Sequence, residues 1–106
     1  MKIALIGYGK MGKSIDAIIH GSEHKVVLRI GMHNRDELTG EQLSKCDVAI
    51  EFTSPSAAYG NIMKCFDAGV PVVCGSTGWY DRLEEVKKTC MEKNNPLFML
   101  QILALV

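Results

Sequence analysis

Three glycines stand in the pattern G-x-G-x-x-G, written here as Gly7-Tyr8-Gly9-Lys10-Met11-Gly12, directly behind the apolar run Lys2-Ile3-Ala4-Leu5-Ile6. Glycines at that spacing allow a tight turn from strand to helix through backbone angles that a Cβ resists. They also allow a diphosphate to approach the main chain where no side chain stands in the way. The ligand would then sit at the positive end of the helix, facing free N–H groups around Lys10, Met11 and Gly12. Gly7 and Gly9 meet the demands of the turn, and Gly12 is expected to let the helix pack closely on the sheet. A lone glycine pattern is weak evidence. Here a preceding strand is present, and Met11, Ile15, Ile18 and Ile19 follow at helical spacing, which is the context that dinucleotide binding requires.

Further along, Val26 to Ile30 reads as a second strand bounded by the polar stretch from Gly21 to Lys25 and by Gly31. A polar segment leads to a short helical turn at Glu41 to Lys45, and Asp47 to Phe52 reads as a third strand. Ser54 is expected to cap a helix with Pro55 at its first position, where the missing N–H costs nothing. That helix carries Ala58, Ile62, Cys65 and Phe66 on one face and stops at Gly69. Val70 to Cys74 reads as a fourth strand, ending in the turn Gly75-Ser76-Thr77-Gly78. A helix with Leu83, Val86 and Cys90 inward follows; Thr77 at its approach has an alternative reading as its N-cap. It ends near Asn94-Asn95, and Leu97 to Leu100 begins a fifth strand. Strands alternating with helices predict an α/β fold, a doubly wound parallel sheet with right-handed crossovers. In such sheets ligands bind beyond the carboxyl ends of the strands, where Gly7 to Gly12, Phe52-Thr53 and Gly75 to Gly78 would gather.

At 106 residues the chain can bury one core, so one domain is expected. Twelve basic and twelve acidic residues balance, which gives no electrostatic attraction to nucleic acid or to a membrane surface. No stretch approaches the roughly 20 apolar residues of a membrane span, and the start lacks the pattern of a secretory signal. A cytoplasmic protein is the simplest expectation. Cys46, Cys65, Cys74 and Cys90 lack C-x-x-C spacing and read as buried hydrophobes, and His20, His24 and His33 lack ligand spacing, so no metal set is expected.

The opening string through Gly12, Glu51-Phe52-Thr53-Ser54-Pro55 and Val72-Val73-Cys74-Gly75-Ser76-Thr77-Gly78-Trp79 together resemble the dihydrodipicolinate (4-hydroxy-tetrahydrodipicolinate) reductases of the diaminopimelate route to lysine. The resemblance runs from Met1 to about Phe98 and implies a Rossmann-like, NAD(P)-binding domain. It implies that Gly7, Tyr8, Gly9, Lys10, Met11 and Gly12 hold the pyrophosphate of NADPH or NADH, and that Phe52 and Thr53 line the cofactor groove. Gly75, Ser76 and Thr77 would contact the nicotinamide end, at the place of the family's Gly-Thr-Thr-Gly turn. In the whole enzymes hydride passes from NAD(P)H to a cyclic imine.

Two departures from the family pattern matter. The acidic residue that usually binds the ribose hydroxyls at the end of the second strand is replaced by Gly31, with Arg29, His33 and Arg35 nearby. NADPH is therefore expected to bind at least as well as NADH. The family's second domain, with its His-His segment and lysine, has no counterpart here. No residue is assigned a catalytic role, and this chain alone is expected to be inactive. Residues 99–106 replace the family's polar continuation with an apolar string. Deleting one T from one allowed coding of the family sequence yields Leu97 through Val106 followed by a stop codon, so a frameshifted tail and a sheet truncated after its fifth strand are expected. Ile102 to Val106 and an open sheet edge would favour self-association. Other readings are a stand-alone NAD(P)H-sensing module and a nonfunctional truncated product. Reading the gene in all three frames tests the frameshift: family-like sequence in a shifted frame is expected, and its absence overturns the idea.

Overall fold

The computed structural model of the chain describes residues 1–99. Strands β1 (Lys2–Ile6), β2 (Lys25–Ile30), β3 (Val48–Glu51), β4 (Val72–Cys74) and β5 (Leu97–Met99) alternate with helices α1 (Lys10–His20), α2 (Gly40–Leu43), α3 (Pro55–Ala68) and α4 (Leu83–Lys93). The strands form one parallel sheet in the order β2-β1-β3-β4-β5. The chain leaves β1 toward β2 in one direction and returns past β1 to β3 in the other. With right-handed crossovers this places α1 on one face of the sheet and α2, α3 and α4 on the opposite face. The expected doubly wound architecture is therefore present. Its switch point, where such folds open a crevice, lies between the carboxyl ends of β1 and β3.

Burial differs between the two faces. Side chains alternate along a strand, and Ala4, Ile6, Ala49, Val72 and Cys74 meet Leu43, Ala58, Ile62, Phe66 and Val86 in one apolar core. On the other face Ile3 and Leu5 are buried, while Val48, Ile50 and Val73 are only half-buried. Among the described residues, helix α1 covers that face alone. Its expected apolar stripe is loosely seated: Ile15 and Ile19 are half-buried, Met11 is exposed, and Ile18 is 76% exposed. The residue of α1 that is buried is Gly12. On the outer strand β2 the register slips between Ile3 and Ala4 of its partner, leaving Val27 as an unpaired, exposed bulge.

Local signals account for most boundaries. Helix α3 starts at Ser54-Pro55 and ends on Gly69 in the left-handed region (φ +71°). Helix α4 ends on Asn94 in the same region (φ +51°), and the buried Asn95 Nδ2 donates to the Val70 carbonyl (2.9 Å), tying this end to the approach to β4. Some expectations need correction. Ser54 occupies the N-cap position, but its hydroxyl pairs with the Ser56 hydroxyl (3.1 Å) rather than a backbone N–H. Thr77 caps nothing: a 3₁₀ turn at Tyr80–Arg82 intervenes, and α4 starts behind Arg82. The second strand starts one residue earlier than expected, at Lys25, and the third and fourth are shorter than their apolar runs. Asp47 instead accepts the Lys2 N–H on its side chain (2.7 Å), and the Pro71 carbonyl accepts from Ala49 (2.9 Å). The apolar tail from Ile102 to Val106 lies outside the described residues. No helix among those described is long and apolar enough to cross a membrane.

Two glycines with positive φ separate conformational strain from overlap. A Cβ on Gly7 (φ +103°) would stand 1.8 Å from the Phe52 carbonyl oxygen, whereas one on Gly69 meets nothing within 4 Å. Gly69→Ala is expected to cost about 1–2 kcal/mol, the ordinary left-handed penalty. Gly7→Ala is expected to cost more than about 3 kcal/mol because β1 and β3 must separate. Urea unfolding of both variants measures this, and equal losses would show that the contact at Gly7 relaxes without cost.

Candidate functional site

Backbone hydrogen bonds carry the sheet ladder past the strand ends and bring three turns together. The Gly7 N–H donates to the Ile30 carbonyl, Phe52 to Ile6 and Gly75 to Glu51, each at 2.8 Å. Gly7 makes the close pass against Phe52, and Gly12 makes a second one: its Cβ would lie 2.3 Å from the Gly7 carbonyl oxygen. Helix α1 thus seats on the turn at the end of β1, a contact more local than the expected helix-to-sheet packing. Gly9 is different. It is the N-cap of α1, its φ of −87° suits any residue, and a Cβ there meets nothing within 4 Å. No side chain caps this helix, and its first turn holds no acidic residue. The leading N–H groups of Lys10, Met11 and Gly12 therefore have no intrahelical acceptor and point outward.

A groove of about 1120 Å³ runs along the carboxyl edge of the sheet, which is ample against the roughly 300–1,000 Å³ of ordinary ligand sites. Of the residues picked out by sequence, Gly7, Tyr8, Gly9, Phe52 and Thr53 line it, while Lys10, Met11, Gly12, Gly75, Ser76 and Thr77 do not. Gly75 lies beneath the Phe52 ring, close enough that a Cβ would overlap its carbons at 2.0–2.6 Å. Ser76 is buried behind Thr53, whose N–H donates to the Ser76 hydroxyl (2.7 Å), and Thr77 is exposed. Sequence reasoning missed Lys13, Asn61 and Lys64 in the groove wall. Lys13 lies one helical turn beyond Gly9 and could have been found from that spacing. Asn61 and Lys64 reach the groove from α3 and carry no local signal. The lining includes Lys13, Arg29, Arg35, Lys64 and His33 and no aspartate or glutamate.

At the β2 end of the groove one network orders the cationic side. Arg29 clasps Asp16 through Nε (2.6 Å) and a second nitrogen (3.1 Å), and the Tyr8 hydroxyl donates to the same carboxylate (2.6 Å). The Arg29 hydrogen bond, with help from Tyr8, holds the Asp16 carboxyl below its ordinary value. The Asp16 bond in turn raises the Tyr8 phenol above its own. Gly31 directly follows the end of β2. Its N–H donates to Asn34 Oδ1 (2.6 Å), and Asn34 Nδ2 donates back to the Arg29 carbonyl (2.7 Å) and also to Glu37. The loop is thereby closed on itself with no carboxylate in the groove wall.

Fold and groove define a Rossmann-type α/β domain of the kind found in nucleotide-dependent oxidoreductases. Solved structures agree on the fold. Biliverdin reductase from Synechocystis sp. PCC 6803, crystallised with biliverdin and NADP+, matches 92% of this chain and 37% of its own at a TM-score of 0.76 and 14% identity. The WlbA dehydrogenase from Chromobacterium violaceum, crystallised with NADH and UDP-GlcNAcA, matches 94% and 34% at a TM-score of 0.73 and 17% identity. Sequence relationships go further. The family sequence model described as "Dihydrodipicolinate reductase, N-terminus" matches residues 1–101, and the chain belongs to that family. A 4-hydroxy-tetrahydrodipicolinate reductase from Christiangramia forsetii is 38% identical over 97 residues, and one from Bifidobacterium longum subsp. infantis is 32% identical over 98. The chain spans 39% of the length of each of these relatives.

The Asp16 network has a pH signature. A carboxyl whose folded pKa lies below its unfolded value of about 3.9 stabilises the fold fully above that value, and the contribution is lost as pH falls through the folded pKa. Asp16→Asn is expected to lower stability at neutral pH and to shed less of it on acidification below about pH 4. Denaturation midpoints measured across pH 2–7 test this. Parallel wild-type and variant profiles would remove the network from the stability of the β2 end.

Proposed function

We propose that the chain is the NAD(P)H-binding half of a 4-hydroxy-tetrahydrodipicolinate reductase. The observation that carries the reading is the open glycine at the N-cap of α1. Among the described residues, nothing in the packing calls for glycine at position 9. A ligand pressed against the backbone would call for it, and the adjacent uncapped N–H groups suit a diphosphate. In this reading Gly7, Tyr8, Gly9, Lys10, Met11 and Gly12 form the diphosphate turn. Phe52 and Thr53 form the wall beyond it, and Gly75, Ser76 and Thr77 support that wall. The groove's charge points the same way, since a lining with cations and no carboxylate favours a ligand carrying several negative charges.

The choice between the two nicotinamide cofactors follows from the end of β2. With Gly31 in place of an acid, the ribose 2′-hydroxyl loses its usual acceptor, and a 2′-phosphate meets no repulsion. Arg29, His33 and Arg35 flank that position. NADPH is accordingly the better or equal ligand. Bound there, the cofactor supplies hydride. The chain's own residues hold and orient it, but those described include no second set arranged to place an imine against it and deliver a proton. Reduction of the cyclic imine therefore belongs to the longer relatives, and this chain alone has no turnover. The half-covered sheet face and the outer strands β2 and β5 favour association of the chain with itself.

Calorimetric titration of the 106-residue chain with NADPH and NADH is the direct test. NADPH should bind at least as tightly as NADH. Gly9→Ala should leave stability within about 1 kcal/mol and weaken both cofactors roughly tenfold or more. Heat from neither cofactor would overturn the reading, and NADH binding tenfold tighter than NADPH would overturn the role of Gly31. In the same preparation no oxidation of NADPH is expected when the imine is added, and steady turnover would place the catalytic groups within this chain. Sedimentation velocity should show species larger than the monomer, and a monomer persisting at high concentration would remove self-association.

A further inference from the structure

Glu51, at the end of β3, is fully buried beneath the groove wall and has no cation within ion-pair distance among the described residues. Its carboxylate is instead surrounded by side-chain donors. Oε1 accepts the Ser76 hydroxyl (2.5 Å) and the Cys74 thiol (3.4 Å); Oε2 accepts the Thr53 hydroxyl and Asn61 Nδ2 (3.0 Å). Burial pushes the Cys74 thiol up to about 12, so it keeps the proton that it donates. A carboxylate offers about four lone-pair sites, and four donors occupy them. The arrangement is directional. The Thr53 N–H donates to the Ser76 oxygen, which donates to Glu51, while the Thr53 hydroxyl donates to the other carboxylate oxygen. Thr53 is thus held at both its backbone and its side chain.

A buried charge is costly unless its hydrogen bonds are complete. Here the donors come from β4, from helix α3 and from the turns behind β3 and β4. What the carboxylate achieves is a tie between two turns distant in sequence, one behind β3 and one behind β4. In a dinucleotide fold the end of β2 reads the adenosine ribose and the front of α1 holds the diphosphate. The turn behind β3 therefore faces the nicotinamide half, with the turn behind β4 packed behind it.

We propose that Glu51 is a positioning residue that clasps Thr53 to Ser76 and thereby shapes the groove for the nicotinamide half of the cofactor. The inference rests on reading the groove as a dinucleotide site. It goes beyond that reading by separating the two halves of the ligand.

The test compares NADPH with 2′,5′-ADP, which has the 2′-phosphate and lacks the nicotinamide, on the full chain. Glu51→Gln keeps the shape but turns an amide NH₂ toward two donors on one side, which breaks the clasp. It is expected to weaken NADPH roughly tenfold while leaving 2′,5′-ADP within about twofold. A ratio of the two affinities is insensitive to general destabilisation of the fold. Ser76→Ala, which keeps the carboxylate, should move the ratio in the same direction, and Ser76→Thr, which keeps a hydroxyl, should restore it. If Glu51→Gln does not fold, the two Ser76 variants carry the test. Equal losses for both ligands, or no loss of NADPH, overturn the clasp. A wild-type chain that binds neither ligand overturns the reading of the groove itself, and the clasp with it.

Discussion

The close pass of Gly7 over the Phe52 carbonyl is the constraint on which the arrangement turns. β1 and β3 are neighbours whose crossovers leave in opposite directions, so the chain must peel away from the sheet where the two ends crowd together. A backbone at φ +103° with no side chain makes that possible. Once Gly7 is in place, α1 begins directly over it, Gly12 fits against its carbonyl, and Gly9 is left facing open space. The groove is what remains when these contacts are satisfied. Its position is therefore fixed by main-chain geometry, and side chains adjust its chemistry.

That chemistry is uneven along its length. At the β2 end Arg29, Asp16 and Tyr8 form a partly exposed network whose worth is limited by solvent, as for most surface ion pairs. Under the β3 and β4 ends sits a carboxylate completely removed from water and saturated by neutral donors. The first can rearrange at low cost. The second is stiff, because any displaced donor leaves a buried acceptor unmet. One end of the groove is thus suited to choosing between ligands and the other to holding a geometry.

The fold was legible in the sequence because each strand and helix carries local signals that agree: an apolar run, then a breaker, then helical spacing. Gly69 and Asn94 stop helices where glycine and asparagine tolerate left-handed angles. What escaped was set by packing between distant segments. Ile18 sits at a core-like spacing but is exposed, because among the described residues α1 has no helical neighbour on its face of the sheet. Gly75 reads as a ligand-contacting glycine, whereas in the fold the Phe52 ring leaves it no room for a Cβ. Glu51 ends a strand, a position where an acid is usually solvated, and only the approach of Asn61 from α3 and Ser76 from the next turn reveals it as internal. Lys64 and Asn61 enter the groove for the same reason. Helix-to-groove distance is not written in local pattern.

The lopsided cover of the sheet carries a thermodynamic consequence. The helix presenting the open N–H groups is loosely seated, its anchorage coming chiefly from Gly12 and the half-buried Ile15 and Ile19. Segments with so few internal contacts open at a free energy well below that of global unfolding. An anion seated across the front of α1 and the loop behind β2 would bridge this layer to the rest of the sheet, and anything that binds only the closed form adds RT ln(1 + [L]/Kd) to its persistence. Occupancy and integrity of the α1 layer are then a single linked equilibrium.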